Sequence, residues 1–263
     1  RDRIITMLII PFMSCSARLP VYILLVAAFF PKNQGLVLMS IYFIGIVVAI
    51  LTALLMKKTL FKNSSVPFVM ELPPYRMPTI RNILIHMWEK TGQYLRKMGT
   101  IILMASILIW ALGYFPLERE SGVNSSRHLE QSYIGKIGHF IEPGLEPLGF
   151  DWKMGVSIVT GLAAKEIVVS SMGILYHVPD AEDNNQGLAE SLKSQLDSQG
   201  NHIFSPLVAY GFMLFILIYF PCMAVIAAIK KEAGWKWALF TIFYTTGIAW
   251  IVSFCVYQIG SMF

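Results

Sequence analysis

The apolar residues of this chain gather into runs about as long as a bilayer is thick, roughly 20 residues at ~1.5 Å of rise each. Several of these runs are cut by proline or carry an isolated charge. A segment in lipid must satisfy every backbone N–H and C=O internally, so a break at that depth is tolerated only where protein or a cavity takes up the freed groups. The pattern predicts an all-α polytopic membrane protein, a transmembrane helix bundle with Pro-broken or re-entrant helices. Composition agrees: 56% of the 263 residues are hydrophobic and 14% charged, against roughly 25% charged in soluble domains. That excludes an ordinary soluble enzyme, and no basic stripe interleaved with aromatics points to nucleic acid.

Residues 4–30 are apolar but interrupted by Pro11, Pro20 and the polar patch Ser14, Cys15, Ser16 and Arg18, which predicts a discontinuous helix or a helix pair. A cleaner span at 36–56 completes the first unit, 1–56. The second unit, 57–115, opens with a basic stretch: eight bases against two acids over 57–97 mark it as cytoplasmic. Pro78 is placed to start a helix there, and Ile80, Ile83, Leu84, Met87, Trp88 and Leu95 recur at helical spacing. An amphipathic interfacial helix running into a span at 98–115 is expected. The third unit, 116–153, reads as an extracytoplasmic loop with six acids and four bases.

The last unit, 154–263, begins with an apolar segment (154–176) carrying Lys165 and Glu166 at its centre. A polar loop at 177–205, with five acids and one lysine, also reads as extracytoplasmic, so 154–176 should be a re-entrant hairpin or a pair of half-helices. Residues 206–229 would then return inward, delivering Lys230, Lys231 and Lys236 to the cytoplasm, and 237–259 would cross outward again. The chain opens Arg-Asp-Arg without Met or a cleavage site and reads as a piece of a longer protein.

Ionisable residues inside apolar segments cost about 2.5–3.5 kcal/mol on insertion scales. Arg18, Lys165 and Glu166 therefore need a partner or a water-filled cavity, either in a network that holds broken helices together or in contact with substrate. A carboxylate such as Glu166 is a ready ligand for a divalent cation. Cys15 and Cys222 each follow a proline closely (Pro11 and Pro221), and each has a methionine nearby, Met13 and Met223. Thiolate and thioether suit soft or borderline transition metals, and broken helices free carbonyls to join them. Cys255 stands alone and reads as a small buried hydrophobe. No Cys pair has the spacing of a zinc ribbon or a disulfide framework. The five histidines (86, 128, 139, 177 and 202) read as solvated or capping residues, and Phe212, Phe215, Tyr219 and Phe220 as packing or lipid-facing side chains. No phosphate-binding GxxxxGK[ST] run exists, so no nucleotide site is expected in this chain.

Four stretches occur in order along the chain: Ile10-Pro-Phe-Met-Ser-Cys-Ser-Ala-Arg-Leu-Pro-Val-Tyr22, Glu71-Leu-Pro-Pro-Tyr-Arg-Met-Pro78, Gly161-Leu-Ala-Ala-Lys-Glu-Ile-Val-Val169 and Tyr219-Phe-Pro-Cys-Met-Ala224. Together they closely resemble the membrane domain of the bacterial ferrous-iron transport protein B (FeoB) family. The resemblance implies two Gate-type motifs in an inverted, broken-helix arrangement, Fe(II) as substrate and the bacterial inner membrane as location. It carries over Cys15 and Cys222 as metal ligands or gating residues. It also implies that GTP and Mg belong to an N-terminal G domain that this sequence lacks, along with a first Gate cysteine in a Gly-Cys-Asn-Val-Pro motif. A small cytoplasmic accessory protein and a homo-oligomer are further expected partners.

The expected path for Fe(II) is lined by Met13, Ser14, Cys15, Glu166, Cys222 and Met223. Arg18, Lys165, Pro11, Pro20 and Pro221 form the gating or buried-charge set, and Glu71, Pro73, Pro74 and Tyr75 a loop that relays the G-domain state. A nucleoside or other solute carrier is the rival within transport. An intramembrane enzyme using Cys15 as nucleophile or Glu166 as base lacks an activating histidine, and a plain anchor would not need buried charges.

Overall fold

The structure, a computed structural model, describes residues 2–59, 79–115, 132–162, 165, 167–176, 192–193 and 204–262. Among these all regular structure is helical. Helix α1 (Asp2–Ile9) runs into a single 3-10 turn, Ile10–Phe12, and the chain then leaves helical geometry at Met13. Pro11 lies in that turn, where its missing N–H removes a donor the helix would need. A second 3-10 turn, Ser16–Arg18, leads into α2 (Leu19–Phe29), with Pro20 in the first turn, where a missing N–H costs nothing.

Helix α3 (Gln34–Thr59) is apolar throughout its length and closes on Lys57 and Lys58. Helix α4 (Ile80–Tyr114) is one uninterrupted helix of 35 residues that contains both the amphipathic stretch and the expected span. Within the stretch read as an outer loop, Tyr133–Leu145 forms a helix, α5, capped by the Ser132 side chain on the Gly135 N–H at 3.3 Å. Its Gly138 faces α6 (Trp152–Thr160) so closely that a Cβ there would lie 2.7 Å from Val156. Asp151 caps α6 through the Met154 N–H at 2.9 Å, and α7 (Ile167–Leu175) follows after a turn. These two short helices are joined by a 2.8 Å hydrogen bond from Ser171 Oγ to Thr160 Oγ1.

The centre of the molecule is α8 (Pro206–Ile218), whose residues from Gly211 to Ile218 are all buried. A helix apolar on every side belongs inside a bundle, and at 13 residues it is about 20 Å long, short of the ~30 Å of a hydrocarbon core. Around it pack α2, α3, the Ile10–Phe12 turn and a long helix α10 (Trp235–Ser261). Ser40 and Tyr210 share a 2.8 Å hydrogen bond between α3 and α8, and Ser253 Oγ donates to the Gly211 carbonyl at 3.1 Å from α10. After α8 the backbone is non-helical from Tyr219 to Cys222, and α9 (Met223–Ala233) begins. Gly234, at φ 93°, makes the reversal into α10, a backbone position that side chains strain to adopt. By length and composition α3 and α10 are both able to cross a membrane, with most of their surface facing outward from the bundle.

Candidate functional site

The two interruptions lie beside one another in space. A Cβ on Gly45 of α3 would sit 3.0 Å from the Leu217 side chain, near the end of α8, and 3.4 Å from the Phe12 carbonyl, in the first interruption. Glycine lets α3 approach both at once.

Each interruption frees carbonyls, and each is met by a buried cation. In the first, Arg18, 3% exposed, donates from its two terminal nitrogens to the Pro11 carbonyl at 2.8 Å and the Met13 carbonyl at 2.9 Å. In the second, the Ile216 carbonyl is among the last four of α8, which have no intrahelical partner by construction. Lys165, also 3% exposed, donates to it from Nζ at 3.0 Å. The same ammonium stands 4.4 Å from the centre of the Tyr219 ring, a cation–π contact that strengthens as water is excluded. A positive charge at a helix C-terminus also opposes the negative end of the helix dipole.

Around Lys165 the ionisable groups whose fields reach it are Arg18, Cys15 and Cys222. Tyr219, fully buried, feels Arg18 and Cys222, and Tyr22 of α2 feels Arg18 and Cys15. The fold therefore brings both cations and both tyrosines within electrostatic range of the cysteines, with Cys15 at the surface and Cys222 half-buried. Gly161 lies against Tyr219: a Cβ there would meet the Tyr219 hydroxyl at 2.5 Å and Val168 at 2.6 Å.

Of the residues expected from sequence, Pro11, Ser14, Cys15, Arg18 and Pro20 lie in or beside the first interruption, Pro221, Cys222 and Met223 in the second, and Lys165 between α6 and α7. Cys15 and Met13 reach the surface, Met13 at 57% exposure, while Cys222 is half-buried and Met223 is 40% exposed. Glu166, Glu71, Pro73, Pro74 and Tyr75 lie outside the described residues. Cys255 is a correction: it is exposed on the outward side of α10 rather than buried. Among the described residues no three His, Cys, Asp or Glu side chains converge as a metal cage would require. Tyr219, expected to pack, does so on an ammonium. The Ile216 carbonyl carries no side-chain signal at all, though Pro221 downstream of it marks a break.

On the far side of α6 a second group of polar residues forms. Lys153 stands 4.9 Å from the Tyr176 ring, and His139 pairs with Glu142 at 2.9 Å while its ring lies 4.8 Å from that of Trp152, tilted by 30°. Burial raises the Asp151 carboxyl above its usual value, against the opposing pull of the Met154 N–H and Lys153.

Two family models match the chain: "Ferrous iron transport protein B C terminus" over residues 38–90 and Gate, described as "Nucleoside recognition", over residues 95–236. Among curated proteins, a Porphyromonas gingivalis Fe(2+) transport protein A/Fe(2+) transporter FeoB fusion protein is 51% identical over all of this chain and 35% of its own length. An Fe(2+) transporter FeoB of Staphylococcus aureus is 42% identical over all of the chain and 37% of its own length. The Methanocaldococcus jannaschii protein of that name is 41% identical, with 38% of its length covered. The chain thus spans little more than a third of the length of these relatives. No solved structure matches it. With both models and whole-chain relatives in agreement, the chain belongs to the FeoB family, of which it carries the C-terminal and Gate regions.

Proposed function

We propose that this chain forms the ion-conducting membrane portion of an Fe(II) transporter of the bacterial inner membrane. The observation that carries the reading is the convergence of two interrupted segments, each with a cysteine, around the buried cations Arg18 and Lys165. Sulfur ligands and freed carbonyls together suit a borderline divalent ion, and interrupted helices are where transporters present backbone oxygen to cations. The relatives, named as Fe(2+) transporters, supply the ion.

In this reading Fe(II) passes Met13, Ser14, Cys15, Cys222, Met223 and Glu166, and the interrupted segments move as gates. GTP and Mg act through an N-terminal G domain, whose state reaches the membrane through Glu71, Pro73, Pro74 and Tyr75. The basic stretch 57–97 faces the cytoplasm, and 116–153 and 177–205 face outward. An accessory protein fits the same picture, since the P. gingivalis relative is itself a fusion with transport protein A.

The test is Fe(II) uptake into liposomes holding the full-length transporter, with Zn(II), Mn(II) and a nucleoside as competitors. Replacing Cys15 and Cys222 together by Ser is expected to lower uptake at least ten-fold, and unchanged uptake removes the thiols from the path. The description of the Gate model keeps one rival in view. Flux of the nucleoside in place of iron would establish that rival.

A further inference from the structure

Resting on the iron reading, we infer that the Lys165 ammonium is a tethered competitor of the transported ion: it occupies the place a divalent cation takes on the Ile216 carbonyl and must leave for the ion to bind. The chemistry of the place is that of a cation site. A carbonyl oxygen at a helix C-terminus accepts from Nζ at 3.0 Å, an aromatic face stands 4.4 Å away, and two thiols lie within reach of its field. Carbonyl oxygen and sulfur are also ligands a borderline dication accepts.

The surroundings give the ammonium no described acid as partner. The fields that reach it come from a second cation, Arg18, and from Cys15 and Cys222. Burying an ammonium costs far more than a hydrogen bond to one carbonyl returns. Its seat is instead built from the groups that the Tyr219–Cys222 interruption exposes. A dication arriving there meets an occupied carbonyl and repulsion from a charge that swings on a four-carbon stem, so binding and displacement of Lys165 are one event.

The experiment uses the full-length protein in detergent under anaerobic conditions, with Co(II) as probe because its thiolate charge-transfer absorption reports sulfur ligation. Lys165→Gln and Lys165→Met are each expected to bind Co(II) about ten-fold more tightly than the unaltered protein. The absorption should vanish when Cys222→Ser is added, and Lys165→Arg should bind no more tightly. Equal or weaker binding by both neutral variants overturns the inference and leaves Lys165 as a cap on α8. A second measurement needs no variant: Co(II) is expected to raise acylation of the Lys165 amine in the unaltered protein several-fold, read by mass spectrometry. Unchanged or lowered acylation also overturns it. The two readings fail separately. Iron flux with unchanged Co(II) affinity in the variants removes only the competitor, whereas nucleoside flux without iron removes the reading beneath it.

Discussion

The two interruptions share a proline and a cysteine but are held in opposite ways. The first is stapled from within: Arg18 reaches back seven and five residues to the Pro11 and Met13 carbonyls, so the segment carries its own cation. The second depends on a visitor, since Lys165 is 51 residues from the Ile216 carbonyl it meets. A local staple survives small shifts of neighbouring helices because both ends move together. A remote one is sensitive to them, because any slip between the α6–α7 turn and α8 breaks it. The second interruption is thus the one whose state the rest of the molecule can set.

The largest effect should come from the staple. Arg18→Gln removes hydrogen bonds from a charged donor, each worth about 1.5–3 kcal/mol, and leaves two carbonyls unmatched. A loss of about 3 kcal/mol or more in unfolding free energy is expected by denaturant titration in mixed micelles, and a loss under 1 kcal/mol would show the staple to be weak. Next comes Gly161→Ala, whose methyl would enter the space of the Tyr219 hydroxyl and Val168. Overpacking of this kind costs about 1–3 kcal/mol. It should disturb the Lys165–Tyr219 contact alone, so iodoacetamide labelling is expected to change at Cys222 and hold at Cys15. Equal changes at both would mean the interruptions are coupled.

The smallest effect is at Asp151, which caps the helix leading to the Lys165 turn. Burial raises its folded carboxyl value, so the proton is held more tightly in the folded state than in the unfolded one. Its contribution is complete below the ordinary carboxylate value and fades as pH rises through the raised one. Asp151→Asn keeps the cap, Asn and Asp being near-equal there, and removes that dependence. The variant's melting temperature should match the parent's near pH 4 and exceed it by a few degrees at neutral pH. A difference that stays constant with pH would show the carboxyl to be indifferent to burial.

What could be read in the sequence follows from which groups announce themselves. Arg18 and Lys165 stand out because a charge in an apolar run must be explained, and Pro11 and Pro221 because a missing N–H disfavours an unbroken helix. The Ile216 carbonyl is a backbone atom that any residue supplies, so only three dimensions reveal it. Tyr219 looks like its aromatic neighbours until an ammonium is found against its ring. Helix α5 is hidden by Gly135, Gly138, Gly144 and Pro143, residues that argue for a loop. Gly138 serves packing instead: it lets Val156 and Trp152 of α6 approach where a side chain would block them.

Helix α4 has a mechanical consequence. At ~1.5 Å per residue its 35 residues extend about 52 Å, against ~30 Å of hydrocarbon. Fitting it wholly inside would need a tilt of about 55°, outside the ~0–40° that spanning helices adopt. The end bearing Arg81, Glu89 and Lys90 is exposed on every side, while the other end rests near α5. A continuous helix held near one end is a lever arm. A rotation of about 5° about one end carries the other through about 4.5 Å over that length, comparable to one helical turn.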